Sequence, residues 1–182
     1  MTSKVSDNAA LVSSLKESRY VGKFLEQVEG YDKKIGKIER ALFSLNIAQR
    51  RWIYLEPILV GGALPDQLER FLKLDSAFKN IMRALEEKPK LQTLADIEGL
   101  EQTLDNINEE QERCQKALND YLEVKRSKFP RFYFLGDEDL LEILAQTQNP
   151  AVIQLHLKKL FAAIHTVGFS GDNSQIIELY SS

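Results

Sequence analysis

The sequence predicts an all-α fold, an elongated antiparallel bundle of long, rod-like helices followed by a small C-terminal β-hairpin. Two apolar series, Phe24 to Trp52 and Ile97 to Tyr121, advance in alternating steps of three and four residues, which predicts two long helices. A shorter apolar series between them predicts a third helix. The few glycines and prolines fall mostly between these series. Two long helices that flank a shorter one indicate coiled-coil-like packing within a bundle.

The composition is that of an ordinary folded protein and argues against several classes of function. The 182 residues are 28% charged and 43% hydrophobic, with a net charge of -3, and they suffice for one sizeable domain or two small ones. The acidic balance argues against nucleic-acid binding, and no apolar run approaches the roughly 18 residues that a membrane span needs. We therefore expect neither nucleic acid nor a membrane as a partner. The single Cys114 excludes an internal disulfide and fits a reducing compartment.

Glycine, proline and capping residues set the expected helix ends in the first two thirds of the chain. The first long helix should end at Val60–Gly62, where glycines follow the last apolar position. Pro65 suits the first position of the next helix, and Pro89 ends that helix. Thr93 resembles the start of a capping box. The second long helix is therefore expected from about Ala95 to Lys128, a length of roughly 50 Å.

The most unusual stretch follows the second long helix, and residues 129–134 are here named the aromatic corner. Pro130 should stop the helix because it pushes Phe129 out of the α region. Basic residues precede the corner, acidic residues follow it, and its four large rings need a partner surface. Two alternatives stay open, a structural plug between two helical subdomains and an exposed contact with another domain. The residues predicted to form a hinge or inter-domain contact are Lys125, Arg126, Phe129, Pro130, Arg131, Phe132, Tyr133, Phe134 and Asp137.

The remaining residues predict two short helices and a β-hairpin. Asp137 should cap a helix that runs through Ala145, and Asn149 and Pro150 suit the start of the next helix. HTVGF and IIELY then flank a turn-rich segment, SGDNS, at residues 170–174, which predicts the hairpin. Because no helix follows, we expect the chain to be cut from a larger protein. The expected organisation is a flexible or short-helical N-terminus (1–19), a helical bundle (20–128) and a truncated second subdomain that ends in the hairpin (129–182).

No residue pattern points to catalysis or to a bound metal. A phosphate-binding loop is not expected, because Gly22 and Gly36 lack the second glycine and the hydroxyl residue that such a loop requires. His156 and His165 have no partners at metal-ligand spacing, so a packed or surface histidine is favoured. Cys114 is better explained as a small buried hydrophobic residue, and the acids after the corner as favourable charges at a helix N-terminus. We therefore expect this chain to have no enzyme activity and no cofactor of its own.

Three strings of residues resemble the dynein heavy chain family, in the order and at the spacing of that family. They are QRRWIYLEPIL at 49–59, YLEVKRSKFPRFYFLGDEDLLEIL at 121–144 and LAQTQNPAVIQLHLKKLF at 144–161. The resemblance covers residues 21–182 and is to the linker region that precedes the motor ring. Within the family, the chain looks most similar to the cytoplasmic dynein of intraflagellar transport, with conventional cytoplasmic and axonemal heavy chains as alternatives. The first string supplies a core signature, namely Trp52, Tyr54, Leu55 and Pro57.

This resemblance implies a mechanical function. The linker of this family is a helical arm across a ring of AAA+ modules, and the ATP cycle of the ring bends and straightens the arm to move cargo along microtubules. The resemblance also implies ATP and magnesium in the parent motor, and as partners the ring of the same heavy chain, intermediate and light chains, and microtubules. The implied location is the cytoplasm and cytoskeleton, with the cilium or flagellum for the intraflagellar-transport subclass. The alternative is a free-standing helical adaptor that binds partner helices.

Overall fold

A computed structural model describes residues 2–146, 149–171 and 175–181. The predicted fold class is confirmed, with long helices packed antiparallel and a C-terminal antiparallel hairpin. None of the described helices is long and apolar enough to cross a membrane. The helices are α1 (Thr2–Lys16), α2 (Leu25–Val60), α3 (Pro65–Glu87), α4 (Leu91–Asp96), α5 (Leu100–Lys128), α6 (Asp137–Ala145) and α7 (Pro150–Leu160), and short 3-10 turns lie at Gly22–Phe24 and Pro130–Phe134. The strands are β1 (Thr166–Phe169) and β2 (Ile176–Tyr180).

The first long helix ends where the sequence predicts. Gly62 has a φ of 87°, a left-handed conformation that glycine adopts without steric cost. Its N–H donates to the Leu59 carbonyl at 3.1 Å, and the N–H of Ala63 donates to the Ile58 carbonyl at 3.2 Å. This pair of bonds is the Schellman motif, which satisfies carbonyls at the helix end. Pro65 is then the first residue of α3, as expected.

The second long helix begins later than the sequence predicts. A separate short helix, α4, precedes it, and Thr93 lies inside α4 and donates its hydroxyl to the Lys88 carbonyl instead of starting a capping box. The break follows from Ile97, whose backbone is extended, and from Gly99, whose φ is 68°. The expected start near Ala95 is therefore wrong. At ~1.5 Å per residue, the 29 residues of α5 give a helix about 44 Å long.

The chain divides into two compact units. The first, unit 1, comprises Met1–Leu55 and Glu69–Arg113, and the second, unit 2, comprises Glu56–Leu68 and Cys114–Ser182. The domain boundaries predicted at 19/20 and 128/129 stay a prediction. The apolar core of unit 1 comes from α2, α3, α4 and α5, and its buried members are Ala41, Ala48, Phe78, Ile81, Leu94, Leu100, Leu104 and Ile107.

Contacts in unit 1 define the directions of its helices. Arg40 contacts Glu101, Ser44 contacts Asn108 and Ala48 contacts Gln111, so the offset along the chain stays at 61 to 64 residues. A nearly constant offset means that α2 and α5 run parallel to each other, and the intervening α3 returns in the opposite direction. The N-terminal α1 also packs in this unit, where the Ser6 hydroxyl donates to Glu39 at 2.6 Å. Lys16 pairs with Asp32 at 3.0 Å.

Unit 2 contains α6, α7 and the hairpin. Gly136, and not Asp137, is the N-cap of α6, and it makes no side-chain capping bond, so the expected Asp137 cap is wrong. Asp137 is instead the first helical residue, where its charge still favours the helix dipole. Asn149 caps α7 as predicted, because its side-chain oxygen accepts the N–H of Ala151 at 3.2 Å. The predicted hairpin is confirmed, although most of its predicted turn, residues 172–174, lies outside the described residues.

Candidate interaction surface at the aromatic corner

The aromatic corner lies between two breaks in the helical backbone. Helix α5 ends at Lys128, and Phe129 is extended with φ -135° and ψ 91°. Pro130 then begins the 3-10 turn, and Leu135 is extended again with φ -100° and ψ 140°. The first break has the cause that the sequence predicts, since the ring of Pro130 disfavours an α conformation at Phe129.

Arg126 connects the end of α5 to the start of α6. Its guanidinium donates to Asp137 Oδ1 at 2.7 Å and to the Leu135 carbonyl at 3.2 Å. The side chain is only 16% exposed, so this charge-assisted pair is partly shielded from water. Arg126, which lies just before the corner, therefore pairs with Asp137 just after it.

Arg131 contacts the end of α7 and not the acidic residues that follow the corner. Its Nη1 donates to the Leu160 carbonyl at 2.8 Å, and its guanidinium lies 4.4 Å from the centre of the Phe161 ring. Leu160 is the last residue of α7, where carbonyls have no partner within the helix. A cation at this position also complements the negative end of the helix dipole. Arg131 thus acts as a C-terminal cap for α7.

The four rings of the corner divide into two pairs. Phe129 and Phe132 pack edge to face, with ring centres 4.8 Å apart, and Phe132 is half-buried. Tyr133 is 54% exposed and donates its hydroxyl to Glu123 at 2.6 Å, while Phe134 is 70% exposed. The first pair thus packs ring to ring although Phe129 is still 39% exposed, whereas the second pair offers an exposed surface. The hinge or contact role of these residues stays a prediction.

Lys125 and Pro130 are the two remaining residues of the predicted hinge or inter-domain contact. The Lys125 ammonium lies 5.0 Å from the centre of the Tyr121 ring, within the range of a cation–π contact. Pro130 is the first residue of the 3-10 turn, where its missing N–H costs nothing.

The predicted core signature lies on α2, away from the corner residues in sequence. The indole N–H of Trp52 donates to Asp75 at 2.8 Å, and its ring stacks on Phe78 at 5.5 Å. Tyr54 is half-buried and Leu55 is fully buried. Pro57, which the sequence groups with these core residues, is exposed. Two residues along a helix correspond to a rotation of about 200°, so a buried Leu55 places Pro57 on the other side.

A polar cluster between α6 and α7 is the feature that sequence reasoning missed. His156 is 5% exposed, and its Nε2 lies 2.9 Å from Glu142 Oε2. Its Nδ1 lies 3.5 Å from Asp139, which also accepts a bond from Lys159 at 2.7 Å. The hydrogen bond from the Lys159 ammonium lowers the pKa of the Asp139 carboxyl below its ordinary value of 3.8. The spacing along the chain hides this cluster, because the carboxylates precede the histidine by 14 and 17 residues.

This cluster, here called the clamp, joins α6 to α7 through the contacts of His156 and Lys159. No group of histidine, cysteine and carboxylate side chains among the described residues could hold a metal ion. Of the two alternatives that the sequence leaves open for His156, packed or on the surface, the structure has the packed one. Because helical bundles of this kind occur in many unrelated proteins, fold and site together define only a class, a helical scaffold with exposed aromatic side chains.

Comparison with known proteins narrows this class to one family. The family described as "Dynein heavy chain, N-terminal region 2" matches residues 1–182. The chain therefore belongs to the dynein heavy chain family, as the sequence strings predict, and the match also includes residues 1–20.

Three relatives show how this similarity is distributed. Cytoplasmic dynein 2 heavy chain 1 is 51% identical over 178 residues in Chlamydomonas reinhardtii and 45% identical over 181 residues in Homo sapiens. The cytoplasmic dynein heavy chain of Drosophila melanogaster is 37% identical over 184 residues. These matches cover 98%, 100% and 98% of this chain. They cover only 4% of each relative. The predicted similarity to the dynein of intraflagellar transport, cytoplasmic dynein 2, is confirmed.

Proposed function

We propose that this chain is a mechanical linker, or lever, segment of a dynein heavy chain, remodelled by the ATP cycle of an AAA+ ring outside these residues. The observation that carries the proposal is the cross-bracing of α2 and α5 in unit 1, in a chain that belongs to this family. A lever must transmit displacement without sliding internally, and stiff packed helices meet that requirement.

The bracing consists of side chains that bond to the backbone of the neighbouring helix. Asn108 donates to the Ser44 carbonyl at 3.2 Å and to its hydroxyl at 2.8 Å. Gln111 donates to the Ala48 carbonyl at 3.0 Å, and Arg51 donates to the carbonyl of Asn108 at 3.0 Å. A slide of one helical turn, about 5.4 Å, would break all of these bonds together. The two helices are therefore fixed in register.

Bending is proposed to occur at the aromatic corner. Its contacts are a salt bridge, a helix cap and a cation–π contact, made by Arg126 and Arg131. Such contacts can be exchanged for water singly, whereas a packed apolar core resists continuous deformation. This difference favours residues 121–136 as the hinge within unit 2.

The parent motor is proposed to be a cytoplasmic dynein 2, which acts in intraflagellar transport. The higher identity to cytoplasmic dynein 2 heavy chains than to the Drosophila cytoplasmic heavy chain supports this subclass. ATP and magnesium would bind in the ring, and the proposed partners are that ring, intermediate and light chains, and microtubules. The proposed location is the cytoskeleton and the cilium or flagellum. Family membership favours this function over the free-standing adaptor.

The lever proposal is tested by following motion of this segment in the intact heavy chain. One fluorophore would replace exposed Phe43 on α2, and its partner would be placed in the ATPase ring. We expect the energy transfer between them to change between the ATP-bound and nucleotide-free states. Equal transfer in both states, with ATP hydrolysis intact, would refute the lever.

The hinge position is tested separately in the same motor. Arg131→Ala combined with Phe132→Ala removes the α7 cap and one ring of the packed pair. We expect microtubule gliding velocity to fall more than basal ATPase activity. The matched control is Phe43→Ala, which removes an aromatic ring that is 68% exposed and lies outside the corner. Unchanged gliding in the double variant would place the hinge elsewhere.

A further inference from the structure

The second strand of the hairpin is apolar on both of its faces and covered on neither. Strand β2 has the sequence IIELY, and all five of its residues are exposed. Its large apolar side chains are between 51% and 64% exposed, and they are Ile176, Ile177, Leu179 and Tyr180. A strand with one covered face would alternate between buried and exposed positions. An exposed apolar strand of this kind at a sheet edge is one that proteins normally pair or protect.

The two edges of the hairpin differ in how their backbone groups are satisfied. On the outer edge of β1, the side-chain amide of Gln154 bonds to both backbone groups of Val167. It donates to the carbonyl and accepts the N–H at 3.1 Å. The amide thus takes the place that a neighbouring strand would occupy. The edge of β1 is therefore occupied at Val167.

The corresponding edge of β2 is open. Val167 pairs with Leu179, and the backbone groups of Val167 point away from β2 toward Gln154. In an antiparallel ladder the opposite residue of such a pair also directs its N–H and carbonyl outward. Outside the β1–β2 ladder, Leu179 makes no main-chain hydrogen bond to another described residue. The Tyr180 carbonyl, by contrast, accepts the N–H of His165 on the β1 side.

We infer that the open edge of β2 pairs with a third β-strand, an extended apolar segment supplied by the rest of the heavy chain. A strand is the occupant that would satisfy the outward N–H and carbonyl of Leu179, and main-chain pairing is the general mode of recognition at such edges. The irregularity between Gly168 and Phe169 limits regular pairing to the C-terminal half of β2. The matched heavy chains, of which this chain spans 4%, have ample further sequence to provide the strand.

The exposed side chains also define the composition of this third strand. Ile177 and Leu179 on one face favour β-branched or aromatic neighbours. The acidic Glu178 on the other face favours a basic or hydroxyl side chain opposite it. The inference goes beyond the lever proposal and does not depend on it, because the strand would be needed whether or not the segment moves.

Hydrogen exchange at single-residue resolution in the intact heavy chain tests the pairing. The amides of Glu178 and Tyr180 face β1 and serve as references within the same strand. We expect the Leu179 amide to exchange within about tenfold of these references, since all three would be hydrogen-bonded. Exchange of Leu179 at the rate of an unpaired amide, with Tyr180 protected, would overturn the inference.

Dilution and a matched pair of variants test which molecule supplies the strand that pairs with β2. Protection of Leu179 that is independent of protein concentration supports a strand of the same heavy chain, whereas protection lost on dilution assigns the edge to a second molecule and overturns the inference. Leu179→Lys places a charge in the proposed interface and should speed exchange of the Tyr180 amide by roughly tenfold. Leu155→Lys, the same change at a leucine of α7 that is 70% exposed and lies outside the hairpin, is the control and should change it by less than about twofold. Equal effects of the two variants would contradict the third strand.

Discussion

Unit 1 and the aromatic corner of unit 2 are stabilised by different kinds of interaction. The core of unit 1 is a continuous set of apolar side chains, and side-chain to backbone bonds fix the register of α2 and α5. The corner is held instead by two arginines near helix ends. Arg126 bonds to the Leu135 carbonyl and the Asp137 carboxylate, and Arg131 bonds to the Leu160 carbonyl. Cooperative packing gives unit 1 one preferred arrangement. The corner's contacts can be remade one at a time, which suits a joint.

The largest expected effect comes from a cavity in the core of unit 1. Leu104 is fully buried in α5, so Leu104→Ala should lower the free energy of unfolding by about 2–5 kcal/mol. Phe134→Ala at the corner removes a larger side chain that is 70% exposed, and it should cost less than about 0.5 kcal/mol. Chemical denaturation of both variants measures the difference. Equal losses of stability would show that the two regions do not differ as described.

A smaller effect is expected from the buried polar contact of unit 1. Trp52→Phe removes the indole N–H that donates to Asp75, a carboxylate only 8% exposed. The loss should be about 1–3 kcal/mol, because a charged acceptor loses a donor in a partly dry site. Lys79 still pairs with Asp75 at 2.8 Å and keeps the carboxylate from being unpaired. A double-mutant cycle with Asp75→Ala measures the coupling, and a coupling near zero would mean that only ring packing matters.

The apolar series predicted the core of the second long helix better than that of the first. In α5 the positions of the series from Leu100 to Leu118 are all buried, including Gln111 and Cys114, and only Tyr121 at its end is half-buried. In the part of α2 that the series spans, the buried positions are Ala41 and Ala48, which lie off the predicted series. Alanine carries a weak hydrophobic signal, so sequence periodicity passed over these two buried positions. The larger residues of that series, such as Leu42, flank the contact and are only partly buried.

The position of the aromatic corner could be predicted from the sequence, but the partners of the charged residues around it could not. The helix stop at Pro130 follows from local sterics, which depend only on neighbouring residues. The partners of Arg131 and His156 lie 14 to 29 residues away, on elements whose packing the sequence does not specify. Arg126 was therefore overlooked as the partner of Asp137. Local rules predict where a chain breaks, whereas the choice of ionic partners depends on tertiary packing.

At the corner itself, the cap on α7 should contribute a moderate amount. Arg131→Met keeps the apolar stem but removes the bond to the Leu160 carbonyl and the cation over Phe161. We expect a loss of about 1 kcal/mol, since the side chain is exposed and partly screened by water. Arg131→Lys should recover part of this loss, because it keeps the charge but not the planar stacking. A loss as large as that of Leu104→Ala would contradict the description of the corner as a weakly fixed joint.

The smallest effect concerns the clamp between α6 and α7 and depends on pH. The hydrogen bond from Lys159 lowers the pKa of Asp139 below its ordinary value, so the stabilisation is complete above that ordinary value and is lost as pH falls through the lowered pKa. Lys159→Met should raise the pKa of Asp139, measured by NMR titration of its carboxyl carbon. Lys158→Met, at an adjacent exposed lysine, is the control and should leave this titration in place. Because Asp139 also lies 3.5 Å from His156 Nδ1, a titration unchanged in the Lys159 variant would assign the lowered pKa to the histidine instead of the lysine.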